Sequence, residues 1–385
     1  MYVHSGLVVF VDALWWYDAM SERTATNRII SGDSHVMEPL DLWAKALHAR
    51  FGDATPRLLP EFRGVAGKFF YIGREVMRLE RIDDEAKASG YAAAGFDPAV
   101  RVSFQDAAGI EAEVMYPTQG MVLLRSCRED VLKDAAQVYN DWLLEFASHA
   151  PERLIAIGLV PMHDVGFAVA ELKRIAARGV KGVLINMDMP AWYPPYRDKV
   201  YDPFWAAAEA LDMPVTLHSA SGQIFSPFHY HDRKDQESAP KAMLAVFAEA
   251  ANVIANEFIF GGIFDRFERL KIVLSEFEVS WMPPWMWRLD QMQSSFGHRM
   301  QIPKLKHKAS DYVKDRLWHC MIDDPLAAQE LESLRLDRIL WGSDFPHVRS
   351  IGVDAKSVVG ALLQDQTPAT RSGIIAENTA ALYRL

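Results

Sequence analysis

The sequence has few thiols and no segment typical of export. Its 385 residues include only two cysteines, Cys127 and Cys320, which cannot build a disulfide framework and suit a reducing compartment. The apolar stretch at residues 6–16 is interrupted by Asp12 and is too short to span a bilayer. It has no positively charged region before it and no small-residue cleavage site after it. We therefore expect no signal peptide and a cytoplasmic location.

The sequence also lacks an excess of basic residues. It carries 41 Lys and Arg against 51 Asp and Glu, which gives a formal net charge of -10. An acidic surface repels phosphate backbones and anionic lipid headgroups. We therefore expect the partner to be a small-molecule substrate, and neither nucleic acid nor a membrane.

The composition is that of an ordinary soluble enzyme with a large core. Hydrophobic residues make up 50% of the chain and charged residues 24%. We interpret residues 1–27 as an N-terminal arm and residues 28–385 as one large domain. Residues 37–107 interrupt the regular pattern with prolines and glycines. We predict that they form an insertion over the mouth of the domain, with a hairpin that turns near Gly73.

Strands and helices alternate along the rest of the chain, which predicts parallel strands joined by crossover helices. Short apolar runs predict eight strands, and both faces of these strands should be buried because their residues do not alternate in polarity. Polar residues stand at the ends of the first, fifth, sixth and last strands. A closed (β/α)8 barrel brings such ends to one mouth, whereas an open, doubly wound sheet separates them. The open sheet is also disfavoured because no glycine-rich phosphate loop follows the first strand.

Four side chains at these strand ends are candidate metal ligands. Asp33 and His35 follow the first apolar run, and a spacing of two residues puts both side chains on one face of a strand. His218 closes the fifth strand, and Asp344 follows the last strand on a glycine–proline turn. A buried histidine or a lone Asp-x-His pair is common without a metal, so the prediction depends on the four together. Nitrogen and oxygen donors without thiolates suit Zn, Mn or Fe.

Other polar residues near the predicted strand ends are candidates for catalysis or substrate binding. Glu276 ends the sixth strand and could be a general base, a further metal ligand or a buried ion-pair carboxylate. His347 follows the last ligand by three residues and is expected to orient that carboxylate. Asn186 and Tyr116, near the ends of the fourth and second strands, and His229, on a long loop, are candidate substrate contacts.

Several motifs together resemble the amidohydrolase-related family. They are DSHVMEP after the first strand, a strand-terminal histidine, LSE at the sixth strand and WGSDFPH near the C-terminus. The resemblance runs from about Arg28 to Leu385, and the family includes aminocarboxymuconate semialdehyde, resorcylate and carboxyvanillate decarboxylases. It implies a distorted (β/α)8 TIM barrel, a catalytic divalent metal and a homodimer. It also implies that Asp33 replaces a histidine found in some members, as an acidic residue does in others.

One departure from the family pattern bears on the reaction. The better-known decarboxylases have a histidine, followed by glycines, just after the sixth strand, and Glu276 stands in its place here. The resemblance therefore implies that decarboxylation lacks its usual imidazole. A metal-bound water loses its proton more easily than free water, and Asp344 or Glu276 could accept that proton. We accordingly expect a hydrolase that acts on a small carboxylated or cyclic organic substrate.

Three alternatives to hydrolysis stay open at this point. A substrate that chelates the metal through a carboxylate and a neighbouring hydroxyl could be protonated on a ring carbon and lose CO2. The donors also suffice for two ions, which would allow a diiron oxygenase. A barrel without its metal would be a binding module. One equivalent of Zn or Mn in the purified protein favours a hydrolase or lyase, two of iron favour the oxygenase, and none favours the binding module.

Overall fold

The structure is a computed structural model, and it describes residues 28–78, 91–222, 238–299, 302–347 and 350–385. The predicted N-terminal arm, residues 1–27, lies outside the described residues. The candidate substrate contact His229 also lies outside them.

The described residues form a (β/α)8 barrel, as predicted. Eight parallel strands follow one another in the order β1-β5-β6-β7-β8-β9-β10-β11, with helices packed outside them. These strands are β1 Ile30–His35, β5 Ala112–Tyr116, β6 Leu154–Leu159, β7 Gly182–Leu184, β8 Val215–His218, β9 Ile272–Ser275, β10 Leu317–Met321 and β11 Ile339–Trp341. All of their residues are buried, which explains why most of the strand sequences are short, mainly apolar runs. Strand β1, with the sequence ISGDSH, is the exception.

The helices connect successive strands and cover the barrel. They are α1 Leu42–Phe51, α2 Pro98–Ala108, α3 Gln119–Ser126, α4 Glu129–Ala147, α5 Val165–Ala176, α6 Asp202–Ala210, α7 Ser238–Val253, α8 Ile263–Arg266, α9 Met282–Gln291, α10 Ala309–Arg316, α11 Ala327–Glu330, α12 Ala355–Leu362, α13 Pro368–Ser372 and α14 Asn378–Tyr383. Helix α4 illustrates why they pack as they do. Val131, Ala135, Tyr139, Leu143 and Phe146 recur at helical spacing and are buried, so one face of α4 is apolar.

An insertion separates the first two barrel strands. It contains α1, α2 and an antiparallel sheet of β2 Arg57–Phe62, β3 Val65–Ile72 and β4 Glu75–Arg78. Strands β3 and β4 pair around a turn that contains Gly73 at φ +66°, which confirms the predicted hairpin. Helix α2 begins where the Asp97 carboxylate accepts the amide hydrogens of Ala99 and Val100, and it ends at Gly109 in the left-handed conformation.

The first strand differs from its predicted boundaries. The sequence predicts that Asp33 and His35 follow the first apolar run, but β1 extends through His35 because its last residues pair with Met115 and Tyr116 of β5. The register shifts between Ser31 and Ser34, and such a bulge re-aims the side chains that follow it.

The barrel closes at a seam between β1 and the chain after β11. In the order of the described strands, β1 and β11 are the two ends and share no ladder. Two backbone hydrogen bonds join them instead: Asp344 N donates to Asp33 O at 2.9 Å, and His35 N donates to Phe345 O at 2.7 Å. The seam therefore lies among the predicted metal ligands.

One helical stretch has the length and apolar character of a membrane span. It covers Ala245–Arg266, from α7 to α8, with a mean hydropathy of 1.3 and 44% of its apolar window buried inside the protein. Core helices of globular proteins can be equally long and equally apolar, so this stretch is weak evidence for a membrane span.

Candidate metal centre

The four predicted ligands come together at the carboxyl ends of the barrel strands. Asp33, His35 and His218 are 0% exposed and Asp344 is 1% exposed. The Nε2 atoms of His35 and His218 each lie 3.5 Å from Asp33 Oδ1, and the Nε2 of His35 lies 3.2 Å from Asp344 Oδ1. The structure thus gathers donors from distant parts of the chain into two overlapping groups that share His35: Asp33 with His35 and His218, and His35 with Asp344 and His347.

The hydrogen bonds of the two histidines fix which nitrogen faces the cluster. His35 Nδ1 lies 3.0 Å from the carbonyl oxygen of Pro117, and His218 Nδ1 lies 2.9 Å from that of Ser219. A carbonyl only accepts, so each Nδ1 carries a hydrogen and each Nε2 is the ring atom that faces Asp33, where it offers a lone pair once it has lost its proton. Among the described residues, neither Nε2 nor either oxygen of Asp33 has a hydrogen-bond partner.

Lone pairs that face a buried carboxylate need a positive charge between them. Burial lowers the pKa of His35 to about 4, so this imidazole is neutral at neutral pH. Burial also opposes protonation of His218, but the Asp33 carboxylate outweighs it and raises the pKa of His218 to about 9. The cluster thus attracts a proton in the absence of a metal. Two imidazoles and two carboxylates fit a divalent cation.

His347 supports the Asp344 carboxylate. Its Nδ1 lies 2.9 Å from Asp344 Oδ1, and its Nε2 lies 3.0 Å from the hydroxyl of Thr118. The Thr118 hydroxyl donates to Val36 O at 2.8 Å, so it accepts from His347 Nε2, while His347 Nδ1 faces the Asp344 carboxylate. Burial lowers the pKa of His347, but the Asp344 charge outweighs it and raises that pKa above its usual value.

The same contacts hold Asp344 ionised. Burial disfavours its charge, yet the neighbouring His347, followed by His35, outweighs burial and lowers its pKa well below the usual range. The ring of His347 also stacks on that of His35 with 3.9 Å between centroids. His347 therefore contacts both Asp344 and His35.

Glu276 lies beside the cluster but is less enclosed. Its side chain is 28% exposed, its Oε2 accepts a hydrogen bond from the Ser219 hydroxyl, and Oε2 lies 3.5 Å from His218 Nδ1. Burial, followed by the Asp344 charge, raises the pKa of Glu276 to about 7. This carboxyl can therefore carry a proton at neutral pH, next to the buried donors.

The structure places the polar groups of two candidate substrate contacts, Asn186 and Tyr116, against other parts of the protein, which differs from the prediction. The Asn186 amide is occupied by backbone, since it accepts from Met162 N at 3.1 Å and donates to Leu124 O at 2.7 Å. The buried Tyr116 hydroxyl bonds Thr216 and Tyr383, each at 3.1 Å. Asn186 ties strand-end loops together and Tyr116 packs inside the barrel, so neither polar group is available to a substrate.

Three residues of the site were missed at the sequence level. A Cβ on Gly342 would lie 2.4 Å from Asp33 Cβ, so the glycine is required for the Asp33 side chain to fit. Ser219 hydrogen-bonds Glu276, and Thr118 hydrogen-bonds His347. Gly342 lies within the WGSDFPH motif and Ser219 directly follows His218, so both positions carry a usable signal. Thr118 is distant in sequence from its partner and gives none.

Comparison with known proteins identifies relatives over most of the chain. A family model described as Amidohydrolase matches residues 91–385. A gamma-resorcylate decarboxylase of Rhizobium radiobacter is 28% identical over 255 residues, which covers 64% of this chain and 76% of the relative.

Solved structures share the fold at lower identity. An amidohydrolase from Mycobacterium avium subsp. paratuberculosis K-10 aligns with a TM-score of 0.74 and 21% identity, covering 93% of this chain and 100% of its own. A dihydroxybenzoic acid decarboxylase from Polaromonas sp. JS666, with bound manganese and the inhibitor 2-nitroresorcinol, aligns with a TM-score of 0.67 and 22% identity, covering 94% of this chain and 98% of its own.

These relatives correct the predicted reaction. Hydrolysis was the first expectation, largely because Glu276 replaces the histidine of the better-known decarboxylases. The curated relatives are nevertheless named decarboxylases, so the hydrolase prediction is wrong and the lyase alternative is the one they support. The hydrolase prediction gave more weight to the substitution at Glu276 than to the other residues of the site.

Proposed function

The chain belongs to the amidohydrolase family, and we propose that it is a metal-dependent decarboxylase of a small hydroxylated aromatic acid. The observation that carries the proposal is the buried cluster in which two histidine lone pairs face the unpartnered carboxylate of Asp33. Such a cluster suits a cation, and the named activity of the curated relatives is decarboxylation.

We propose Asp33, His35, His218 and Asp344 as the ligands of one Mn²⁺ ion. The set combines two carboxylates with two imidazoles, which is chemistry that Mn²⁺ accepts. The decarboxylase from Polaromonas sp. JS666 contains manganese, which supports this choice of metal. When bound, the cation supplies positive charge that attracts an anionic substrate and stabilises negative charge in the transition state.

The proposed reaction needs one proton and releases CO2. The bond between a ring carbon and the carboxylate carbon breaks, and a proton forms a new bond to that ring carbon. We assign the proton to Glu276, because its carboxyl is partly exposed beside the cluster whereas Asp33 is enclosed. His347 would hold Asp344 in place without touching the substrate.

The insertion is the proposed determinant of substrate access. Arg125 of α3 lies 3.1 Å from Glu75 of the hairpin, and its guanidinium also donates to the carbonyl oxygen of Ala220. Ala220 follows His218 by two residues, so the hairpin is tied to a turn that carries a proposed ligand. These contacts support the prediction that residues 37–107 border the mouth.

We also propose that the protein is a cytoplasmic homodimer. Its two cysteines are buried free thiols, which suits a reducing compartment. The apolar stretch Ala245–Arg266 is only 44% buried within one chain, which supports a second copy as its cover. Light scattering on the purified protein would give a mass of twice 43.5 kDa for the proposed dimer.

The decisive test is an assay of CO2 release by the metal-stripped protein with and without added Mn²⁺. The panel is 2,6-dihydroxybenzoate, 5-carboxyvanillate and, as a control without a hydroxyl, benzoate. In D2O the product should carry one deuterium at the ring carbon that lost its carboxylate. Mn²⁺-dependent release from a hydroxylated acid supports the proposal. If the protein holds a stoichiometric amount of metal and still releases CO2 from none of the acids, the proposed function is overturned.

A further inference from the structure

A buried arginine of the insertion reaches the seam of the barrel. Arg101 of α2 is 0% exposed. Its Nη1 donates to the carbonyl oxygen of His35 at 2.8 Å, and its Nη2 donates to that of Phe345 at 3.4 Å. His35 is a proposed ligand and Phe345 follows another, Asp344. One guanidinium therefore contacts both of the segments that carry the proposed ligands at the seam.

The carbonyl of Phe345 is shared across the seam. It accepts from His35 N at 2.7 Å as well as from Arg101. In the described sheet β1 and β11 share no ladder, and Ser343 N donates across the seam to the Ser31 hydroxyl at 2.8 Å in addition to the two backbone bonds. Arg101 adds two hydrogen bonds to the two that the backbone supplies there.

Aromatic packing fixes the same turn from α2. The rings of Phe104 and Phe345 stack with centroids 3.7 Å apart and an interplanar angle of 10°. The guanidinium of Arg101 lies 5.0 Å from the centroid of the Phe345 ring. Helix α2 thus holds the residue after Asp344 by its carbonyl and by its ring.

Glu113 of β5 orients the guanidinium. Its Oε2 accepts from Arg101 Nε at 2.5 Å and from Gln105 at 3.1 Å, and both members of the ion pair are 0% exposed. A fully buried ion pair contributes little net stability because desolvation offsets the attraction. A planar fork that reaches two carbonyls at once gives geometric precision, which a lysine cannot reproduce.

We propose that Arg101 is a positioning residue of the metal centre, fixing His35 and Asp344 at the spacing that the ion requires. This inference depends on the proposed metal site and not on the proposed reaction. Its test is therefore metal affinity, which can be measured whether or not decarboxylation is observed.

The experiment compares Mn²⁺ binding by the wild type, Arg101→Lys and Arg174→Lys, each stripped of metal and titrated with Mn²⁺. Arg174→Lys is the matched control, because Arg174 also pairs with a 0% exposed carboxylate, Glu171, but lies on α5 away from the cluster. We expect the Kd of Arg101→Lys to rise about 10- to 100-fold, as for other residues that orient ligands. The control should keep the wild-type Kd.

Two further readouts separate positioning from a general loss of stability. The melting temperature of the metal-free protein reports general stability, and it should fall more in Arg101→Lys, because the Arg101 side chain is 0% exposed whereas that of Arg174 is 32% exposed. The electron paramagnetic resonance spectrum of bound Mn²⁺ reports the geometry of the ligands and should change only in Arg101→Lys. If that variant is insoluble, Glu113→Gln replaces it, since it frees the guanidinium without changing side-chain shape, and its Kd should also rise. A Kd within twofold of the wild type in the soluble variant overturns the proposal. A wild type that binds no Mn²⁺ overturns the proposed site as well.

Discussion

At the scale of single residues, Asp344 illustrates how the geometry of the site depends on contacts made by individual side chains. Its backbone has φ +53°, and Glu276 and Glu278 after β9 are also in this left-handed region, at φ +67° and +53°. Residues other than glycine rarely adopt such values, and they persist where the surrounding structure enforces them. At Asp344 the enforcing contacts are His347, His35 and the backbone of Asp33.

The first prediction at this scale concerns the Asp344 carboxylate. Asp344→Asn keeps the size of the side chain but removes a negative ligand and presents an amide that can donate to His35. We expect Mn²⁺-dependent turnover to fall by more than about 100-fold, while circular dichroism shows the wild-type fold. Turnover equal to that of the wild type would contradict the assignment of Asp344 as a ligand.

The second prediction separates proton transfer from metal binding at Glu276. Glu276→Gln retains the acceptor for Ser219 but cannot deliver a proton. We expect kcat to fall by roughly 10²- to 10⁴-fold, the usual contribution of a general acid. Metal analysis of the same sample should still show one equivalent of Mn²⁺. Loss of that equivalent would make Glu276 a ligand and leave the proton donor unassigned.

At the scale of elements, the strands were easier to predict than their closure. The barrel strands other than β1 are short and mainly apolar, so the pattern indicated buried strands, and the polar residues at their ends indicated the mouth. The helices of the insertion were not predicted, because Pro98–Ala108 carries the buried polar residues Arg101 and Gln105 on its inner face. These residues are buried only because Glu113 and the seam carbonyls satisfy them. Such partners cannot be inferred from hydrophobic periodicity.

The turn after β11 gives a prediction about packing between elements. Gly342 lets the turn approach β1 so closely that an added Cβ would meet Asp33 Cβ at 2.4 Å and Cys320 Sγ at 2.9 Å. Gly342→Ala must therefore push Asp33 out of the cluster. We expect the free energy of unfolding to fall by about 1–3 kcal/mol and the Kd for Mn²⁺ to rise by about 10-fold or more.

Gly360→Ala is the matched control for this substitution. Gly360 lies within α12, and a Cβ there would meet nothing within 4 Å. Alanine should stabilise the helix by about 0.5–1 kcal/mol and leave the Kd for Mn²⁺ unchanged. A Gly342→Ala protein that binds Mn²⁺ as tightly as this control would show that Asp33 tolerates the displacement.

At the scale of the whole molecule, the metal centre and the closure of the barrel are the same place. Asp33 and His35 belong to the first strand, and Asp344 belongs to the chain after the last. A cation bound by all three would link the two ends of an eight-stranded sheet that share no ladder. The sequence indicated the candidate ligands and the barrel separately. It could not indicate this seam, because neither the bulge in β1 nor the hydrogen bonds of Arg101 to the seam carbonyls can be inferred from the sequence pattern.

Removal of the metal should therefore loosen the seam and lower the stability of the barrel. Free Mn²⁺ at ~100 times its Kd adds about 2.7 kcal/mol to the free energy of unfolding. The chelator-treated protein should melt several degrees lower than the Mn²⁺-loaded protein, and the Asp344→Asn protein should show a smaller difference. Equal melting temperatures of the two wild-type forms would contradict a structural role for the ion.

Amide hydrogen exchange can show which part of the barrel loosens when the metal is removed. The amides of His35 and Asp344 donate across the seam, whereas the amide of Val183 donates to Pro214 O at 3.0 Å on the far side of the barrel. If the ion holds the seam closed, its removal should speed exchange at His35 and Asp344 much more than at Val183. Uniform acceleration at all three amides would mean that the ion stabilises the whole barrel without acting at the seam.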